Sequence, residues 1–235
     1  MSEQTRILIV EDEEAIRAGL VDVFVYHGFD VDYSGDGQEA LDKALNNHYD
    51  LILLDVMLPS MNGFDICQAI REANNQQPII MLTAKNTEED VIQGFSLGAD
   101  DYVAKPFSVA QLVLRVKAVL RRSSKNESQS DKISLDNQSH IDITNLEVKI
   151  KGERIPLTKR EAEVISYLHN NQQRPVSREE LLEKVWGYQK DMDIETRTVD
   201  IHIAKIRRKI ETDPKEPGFL LTIRGAGYKL VSGND

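Results

Sequence analysis

Leu51-Ile-Leu-Leu-Asp55 is four apolar residues in unbroken succession, closed by a carboxylate. A strand with one face in water alternates apolar and polar side chains, whereas an unbroken run suits a strand covered on both faces. Arg6-Ile-Leu-Ile-Val10 and Ile79-Ile-Met-Leu82 have the same character, and Asp30-Val-Asp-Tyr33 and Asp101-Tyr-Val-Ala104 complete a set of five. Amphipathic stretches over 14–27, 37–46, 63–74, 87–97 and 108–122 lie between or after them. In the last, Leu112, Val116 and Val119 or Leu120 recur at helical spacing. Strand alternating with helix predicts an α/β fold, a doubly wound five-stranded parallel sheet with helices on both faces. In such sheets the working crevice lies beyond the carboxyl ends of the strands.

Polar residues collect at those ends. The first strand runs into Glu11-Asp12, the third into Asp55, the fourth into Thr83 and the fifth into Lys105-Pro106. Carboxylates gathered at one edge repel unless a cation neutralises them, and an all-oxygen set suits Mg2+, which commonly takes one or two carboxylates with phosphate oxygens and water. An aspartate can also serve as nucleophile in phosphoryl transfer through an aspartyl-phosphate. Taken singly, an Asp after a strand is more often a turn former or cap. The shared register is what joins these residues into one site.

The net charge of −10 is unevenly spread: residues 1–125 hold 11 basic and 20 acidic residues, a net of −9, and residues 126–235 hold 18 and 19, a net of −1. Such asymmetry points to two halves with different partners. Between them, residues 121–132 contain no apolar side chain and four serines. This composition predicts a flexible linker, since a structureless loop of that length is uncommon inside one compact domain. The expected organisation is a first domain over 1–122, a linker over 123–132 and a second domain over 133–235. A single cysteine, Cys67, excludes an internal disulfide framework. No apolar run reaches the roughly 20 residues of a membrane span, and the chain enters its first strand with no secretory signal, so a cytoplasmic protein is expected.

The second half opens with strand-like segments over 132–157 broken by turns. Thr158-Lys-Arg-Glu161 has the spacing of a capping box, and Ser177-Arg-Glu-Glu180 repeats it. A third helix is predicted from about Thr196 to Glu211, with Val199, Ile203, Ile206 and Ile210 as its core stripe and Arg197, Lys205, Arg208 and Lys209 largely off it. A major groove admits one α-helix, and long basic side chains reach phosphates and guanine edges. The competing reading of the helix alone is a solvated surface helix with basic residues favouring its C-terminus. The following segment, Phe219 to Leu230, decides between them: two short strands around Arg224-Gly-Ala-Gly227 form a hairpin with an arginine at its tip. The second domain is thus expected to be an α+β winged helix-turn-helix.

Residues 5–122 resemble the CheY-like receiver domain of two-component response regulators. The resemblance is carried by Val10-Glu-Asp-Glu13, Leu54-Asp-Val-Met-Leu-Pro59 with Gly63, Leu82-Thr-Ala84 and Gly98-Ala-Asp-Asp-Tyr-Val-Ala-Lys-Pro-Phe107. It implies Asp55 as phosphoacceptor and Mg2+ held by Asp12, Asp55 and the Met57 carbonyl, with Glu11 acting through water. It further implies Thr83 and Lys105 on the phosphoryl oxygens, Tyr102 as an aromatic switch, and a cis Lys105-Pro106 bond. Residues 133–231 resemble the effector domain of the OmpR/PhoB subfamily through Leu157-Thr-Lys-Arg-Glu161, Val185-Trp-Gly187, Arg197-Thr-Val-Asp-Ile-His-Ile203, Ile206-Arg-Arg-Lys-Ile210 and Thr222-Ile-Arg-Gly-Ala-Gly-Tyr228. That resemblance implies Arg197, Thr198, Ile201, Lys205 and Arg208 at the major groove, Thr222 on a phosphate and Arg224 in the minor groove. The loop over 187–195 would meet RNA polymerase or its sigma factor. The implied partners are a sensor histidine kinase, promoter DNA and a second copy of the chain.

Receivers of this subfamily pair through charged residues, and two pairs can be matched: Asp101 with Arg115 and Asp100 with Arg122. A third falls at Val91 and Gln111, where both charges are missing together, so neither is left unpaired. The absence is read as disfavouring heterodimers with relatives that carry the pair. Cys67 reads as a small buried hydrophobe, Trp186 as core, and His202 as either a DNA contact or a packing residue. Two other functions remain to be weighed. A phosphohydrolase with an Asp nucleophile of the haloacid-dehalogenase type needs a second acid two residues on, where this chain has Met57. A phosphorylation-independent DNA-binding regulator would use the receiver only to dimerise, yet the whole acidic pocket and the lysine are present.

Overall fold

The computed structural model describes residues 4–74, 76–83, 98–123, 132–136, 138–188 and 196–231. The chain divides into two compact units, Met1–Ser124 and Lys125–Asp235.

In the first unit, β1 (Arg6–Val10), β2 (Asp30–Ser34), β3 (Leu51–Asp55), β4 (Ile79–Thr83) and β5 (Asp101–Ala104) pair in the order β2-β1-β3-β4-β5. Every pair is parallel. The chain leaves β1 to build β2 on one side and returns to build β3 on the other, so the winding reverses between β1 and β3, where the crevice of such a sheet opens. The strands that read as purely apolar, β1, β3 and β4, are the inner three. One face carries α1 (Glu14–Tyr26) and α4 (Val109–Ser123), whose Leu20, Phe24, Leu112, Val113, Val116 and Val119 pack on Ile7, Ile9, Leu51, Leu53, Ile80 and Leu82. The alternate strand residues, Leu8, Val10, Ile52 and Leu54, are buried toward the opposite face. The helix expected over 87–97 lies outside the described residues.

α2 (Gly37–Asn46) and α3 (Gly63–Ala73) start on side-chain caps: Asp36 accepts from the Gln38 and Glu39 amides, and Asn62 from those of Phe64 and Asp65. Between them the loop after β3 is gripped at two glycines. The Gly37 amide donates to the Pro59 carbonyl (3.1 Å) and the Gly63 amide to the Val56 carbonyl (2.9 Å). A Cβ on Gly37 would collide with the Met61 carbonyl, and one on Gly63 with the Asp55 carbonyl. Cys67 is fully buried on α3.

The second unit opens with an antiparallel sheet of β6 (Lys132–Ser134), β7 (Ser139–Asp142), β8 (Glu147–Ile150) and β9 (Glu153–Pro156). Next come α5 (Lys159–Asn170), α6 (Arg178–Leu181), α7 (Arg197–Ile210) and the hairpin of β10 (Leu220–Ile223) and β11 (Gly227–Leu230). α6 runs on as a π turn over Leu182–Trp186 and stops at Gly187, whose φ of 76° is left-handed. The expected capping box at Thr158 is complete. At Ser177 only half of it forms: the serine accepts from the Glu180 amide, while the Glu180 carboxylate is drawn away by Arg174, at 2.6 and 2.8 Å, and by Tyr167. Those bonds hold its pKa down to about 2.

The two kinds of glycine predict opposite signs. Gly63→Ala forces a methyl into backbone and should cost about 1–3 kcal/mol. Gly19→Ala, in α1 with nothing within 4 Å of the added carbon, should stabilise by up to about 1 kcal/mol. Urea denaturation of the two variants checks both.

Candidate functional site

The strand order lays a row of polar residues along one edge of the parallel sheet: Glu11 beyond β1, Asp55 at the end of β3, Thr83 at the end of β4 and Lys105 beyond β5. Glu11, Asp55 and Thr83 are buried and Asp12 is exposed. Ligand atoms of Glu11, Asp12 and Asp55 lie within 4.8 Å of one another. The Lys105 ammonium sits among them, 2.9 and 2.7 Å from the two Glu11 oxygens and 2.5 Å from Asp55 Oδ2. The other Asp55 oxygen accepts from the Met57 amide at 3.1 Å. The Lys105 amide donates to the Thr83 carbonyl (2.7 Å), and Lys105-Pro106 is cis, as the resemblance implies.

Electrostatics follow from burial. Burial pushes the Glu11 carboxyl above its usual range; the bond from Lys105 opposes that shift and the Asp55 charge adds to it. Burial alone would lower Lys105, but its bonds to Asp55 and Glu11 prevail and raise it. One ammonium against three carboxylates leaves uncompensated negative charge on hard oxygen donors beside an exposed Asp12. That donor set fits a small divalent ion such as Mg2+. Sequence reading missed Arg17, whose Nη1 donates to the Glu11 carbonyl at 2.8 Å and the Asp12 carbonyl at 3.1 Å, bracing the acidic turn from the start of α1.

The charged residues around β5 are engaged within the chain. Asp101 pairs with Arg115 at 2.8 Å, both buried. Asp100 pairs with Arg71 at 2.8 Å and accepts from the Ile79 amide. Sequence reading placed Asp101 with Arg115 and Asp100 with Arg122 across two copies. Within one chain Arg115 already reaches Asp101, because α4 lies beside β5, and Arg71 reaches Asp100. Arg71 has no sequence signature of this role; its other partners are the Gly98 and Gln77 carbonyls. Tyr102 is buried and Gln111 exposed. Val91 and the side chain of Arg122 lie outside the described residues.

In the second unit Arg208, Thr222 and Arg224 are exposed, Arg224 in the turn of the hairpin. Thr198, Ile201 and Lys205 are buried, with 7, 8 and 6% of their surface exposed. They stand three and four residues apart, on one face of α7. The Arg197 side chain and residues 189–195 lie outside the described residues. His202 is fully buried, its ring edge-on to Trp186 at 5.0 Å, with Nδ1 donating to the Thr198 carbonyl at 2.9 Å. Of its two readings, packing is the one this conformation shows.

Comparison with known proteins agrees with both units. The family described as response regulator receiver domain matches residues 7–117, and that described as transcriptional regulatory protein, C terminal, matches residues 152–230. The chain is 40% identical over 228 residues to sensory transduction protein RegX3 of Mycolicibacterium smegmatis, covering 96% of this chain and 99% of that protein. It is 42% identical over 232 residues to the alkaline phosphatase synthesis transcriptional regulatory protein PhoP of Bacillus subtilis, covering 96% of each. Among solved structures, the response regulator DrrB, a Thermotoga maritima OmpR/PhoB homologue, matches with 35% identity and a TM-score of 0.52 over 98% of this chain and 100% of that one. No described helix is long and apolar enough to cross a membrane.

Burial, followed by the Lys205 charge, holds His202 well below its ordinary value of 6.5, against the pull of its bond to Thr198. The unfolded chain binds this proton near that ordinary value and the folded chain does not. Stability therefore falls as pH drops below about 6.5. His202→Gln should flatten the slope of unfolding free energy between pH 6.5 and 5, read from the fluorescence of Trp186, the single tryptophan. An unchanged slope contradicts the assignment.

Proposed function

The chain belongs to the OmpR/PhoB-type two-component response regulators, and from that premise we propose that it is a cytoplasmic transcription regulator switched by phosphorylation of Asp55. The proposed organisation is a receiver over 1–122, a linker over 123–132 and a winged-helix effector over 133–235. The observation that carries the reading is the setting of Asp55. It is buried at the end of β3, bonded through one oxygen to Lys105 and through the other to the Met57 amide, with Glu11 and Asp12 beside it.

A sensor histidine kinase presents a phosphohistidine. An Asp55 oxygen forms the new bond to phosphorus while the nitrogen–phosphorus bond breaks, and the electron pair leaves with the histidine. Asp12, Asp55 and the Met57 carbonyl would hold Mg2+, with Glu11 acting through water. When bound, the ion supplies positive charge to the phosphoryl oxygens. Lys105 exchanges its Asp55 contact for a phosphoryl oxygen, and the Thr83 hydroxyl donates to another. The phosphoryl dianion, in place of the single carboxylate charge of Asp55, is what recruits them. Tyr102 and β5, lying between Thr83 and α4, follow.

The responding face carries Asp100, Asp101, Arg115, Arg122, Val91 and Gln111 and forms a homodimer. The charged groups already paired within the chain are shared or exchanged there. Val91 and Gln111 bias pairing toward the chain's own copies; equal yields of heterodimer and homodimer on mixing with a relative that carries the charged pair would sink that idea. On promoter DNA, Arg208 and Arg197 meet the major groove, Thr222 a phosphate and Arg224 the minor groove. Thr198, Ile201 and Lys205 join from a conformation that uncovers them. The loop over 187–195 meets RNA polymerase.

Intact mass after incubation with acetyl phosphate and Mg2+ should show one added phosphoryl group, absent from Asp55→Ala and absent without Mg2+. No adduct, together with no effect of beryllium fluoride on dimerisation or DNA binding, overturns the phosphorylation switch and leaves a phosphorylation-independent regulator.

A further inference from the structure

Tyr228 stands where three elements of the second unit meet. Its hydroxyl donates to Asp200 Oδ1 at 2.6 Å and accepts from Arg178 Nη2 at 2.8 Å, while Arg178 Nε reaches the same Asp200 oxygen at 2.6 Å. Asp200 lies in the first turn of α7, Arg178 begins α6, and Tyr228 is on β11. The three side chains close a ring of hydrogen bonds in which the phenol both donates and accepts. The Arg178 guanidinium also lies 4.8 Å from the centre of the Tyr228 ring. The backbone repeats the join: Val176 and Tyr228 exchange amide–carbonyl bonds of 2.8 and 2.9 Å. Gly227 packs so closely on the Val176 carbonyl that a Cβ would collide with it.

The opposite strand is tied to the other end of α7. Arg207 donates to the Leu220 carbonyl at 2.9 and 2.7 Å and to the Thr222 hydroxyl at 2.7 Å. Glu211 accepts from the amides of Gly218, Phe219 and Leu220. Each strand of the hairpin is thus fixed to α7 through charged side chains. A two-stranded hairpin is only marginally stable by itself, and Arg224 at its tip would have to be ordered on binding, at a cost in affinity.

Resting on the DNA-binding reading above, we propose that Tyr228, Asp200 and Arg178 are positioning residues for DNA recognition: they set the hairpin tip, and with it Arg224, at a fixed offset from α7, so that helix and wing engage one DNA segment as a rigid pair. None of the three need touch DNA for this. Their effect passes through Arg224, which separates the proposal from a general contribution to folding.

The test is a double-mutant cycle on the full-length protein with a duplex that the wild-type protein enriches from a random-sequence pool. Tyr228→Phe keeps the ring and removes the hydroxyl, and Arg224→Ala removes the tip. Tyr228→Phe should weaken binding about tenfold in the wild-type background and leave the Arg224→Ala protein almost unaffected, a coupling of the size seen between linked residues. Preference for particular base pairs under the hairpin should fade with it. Additive effects of the two substitutions, or wild-type affinity in Tyr228→Phe, overturn the proposal. Asp200→Asn runs the same cycle from the other end of the bond, with circular dichroism confirming fold. If both variants unfold, the network is structural and the proposal fails. If the wild-type protein enriches no duplex, the DNA-binding reading itself fails, which is a different result.

Discussion

Three carboxylates within 4.8 Å of one another require cationic charge among them, and in this chain Lys105 provides it, bridging Glu11 and Asp55. The sheet order makes that bridge possible. Across β1, β3, β4 and β5 the edge residues run Glu11, Asp55, Thr83, Lys105. The lysine comes from two strands beyond Asp55 and three beyond Glu11, across Thr83. Its side chain spans the site from one end to the other. Reversal of the winding between β1 and β3 supplies the opening, and the two glycines that grip the loop after β3 keep the Met57 amide on Asp55.

The second unit solves its own problem differently. Its apolar core holds the helices and takes Leu220 and Leu230 of the hairpin that follows α7, and the hairpin is further held by side chains that bond backbone: Glu211 to three consecutive amides and Arg207 to the Leu220 carbonyl. Charged groups bonded to backbone constrain orientation more tightly than apolar contact, since hydrogen bonds weaken steeply with angle. Arg224, in the turn of that hairpin, is carried by two strands braced in this way.

Much of this was written in the chain. β1, β3 and β4 were legible because strands buried on both faces must be apolar throughout, and Glu11, Asp55, Thr83 and Lys105 because a polar residue ending such a run marks the sheet edge. The capping box at Thr158 was legible because both its partners are local. What escaped depends on distance in sequence. Arg17 bonds to carbonyls, which every residue has, and Arg71 to carbonyls and to a carboxylate 29 residues away, so neither motif nor spacing marks them. The half-formed cap at Ser177 turned on competition for Glu180 from Arg174 and from Tyr167 on α5, which no capping motif records. Burial of Thr198, Ile201 and Lys205 escaped because periodicity tells which side chains share a helix face and says nothing of whether a second face is also covered. The π turn over Leu182–Trp186 left no trace in the apolar pattern.

The pairs around β5 limit how a signal can leave the pocket. Only three residues separate Asp101 from Lys105, so a change at the lysine is felt where Arg115 holds Asp101 at 2.8 Å and the Tyr102 carbonyl at 3.4 Å. Removing one partner from a buried ion pair costs about 3–5 kcal/mol, which no rearrangement of a few side chains recovers. A switch acting through this strand therefore cannot simply release Asp101 or Arg115 into an apolar surrounding. It must hand each a new partner as the old one is withdrawn.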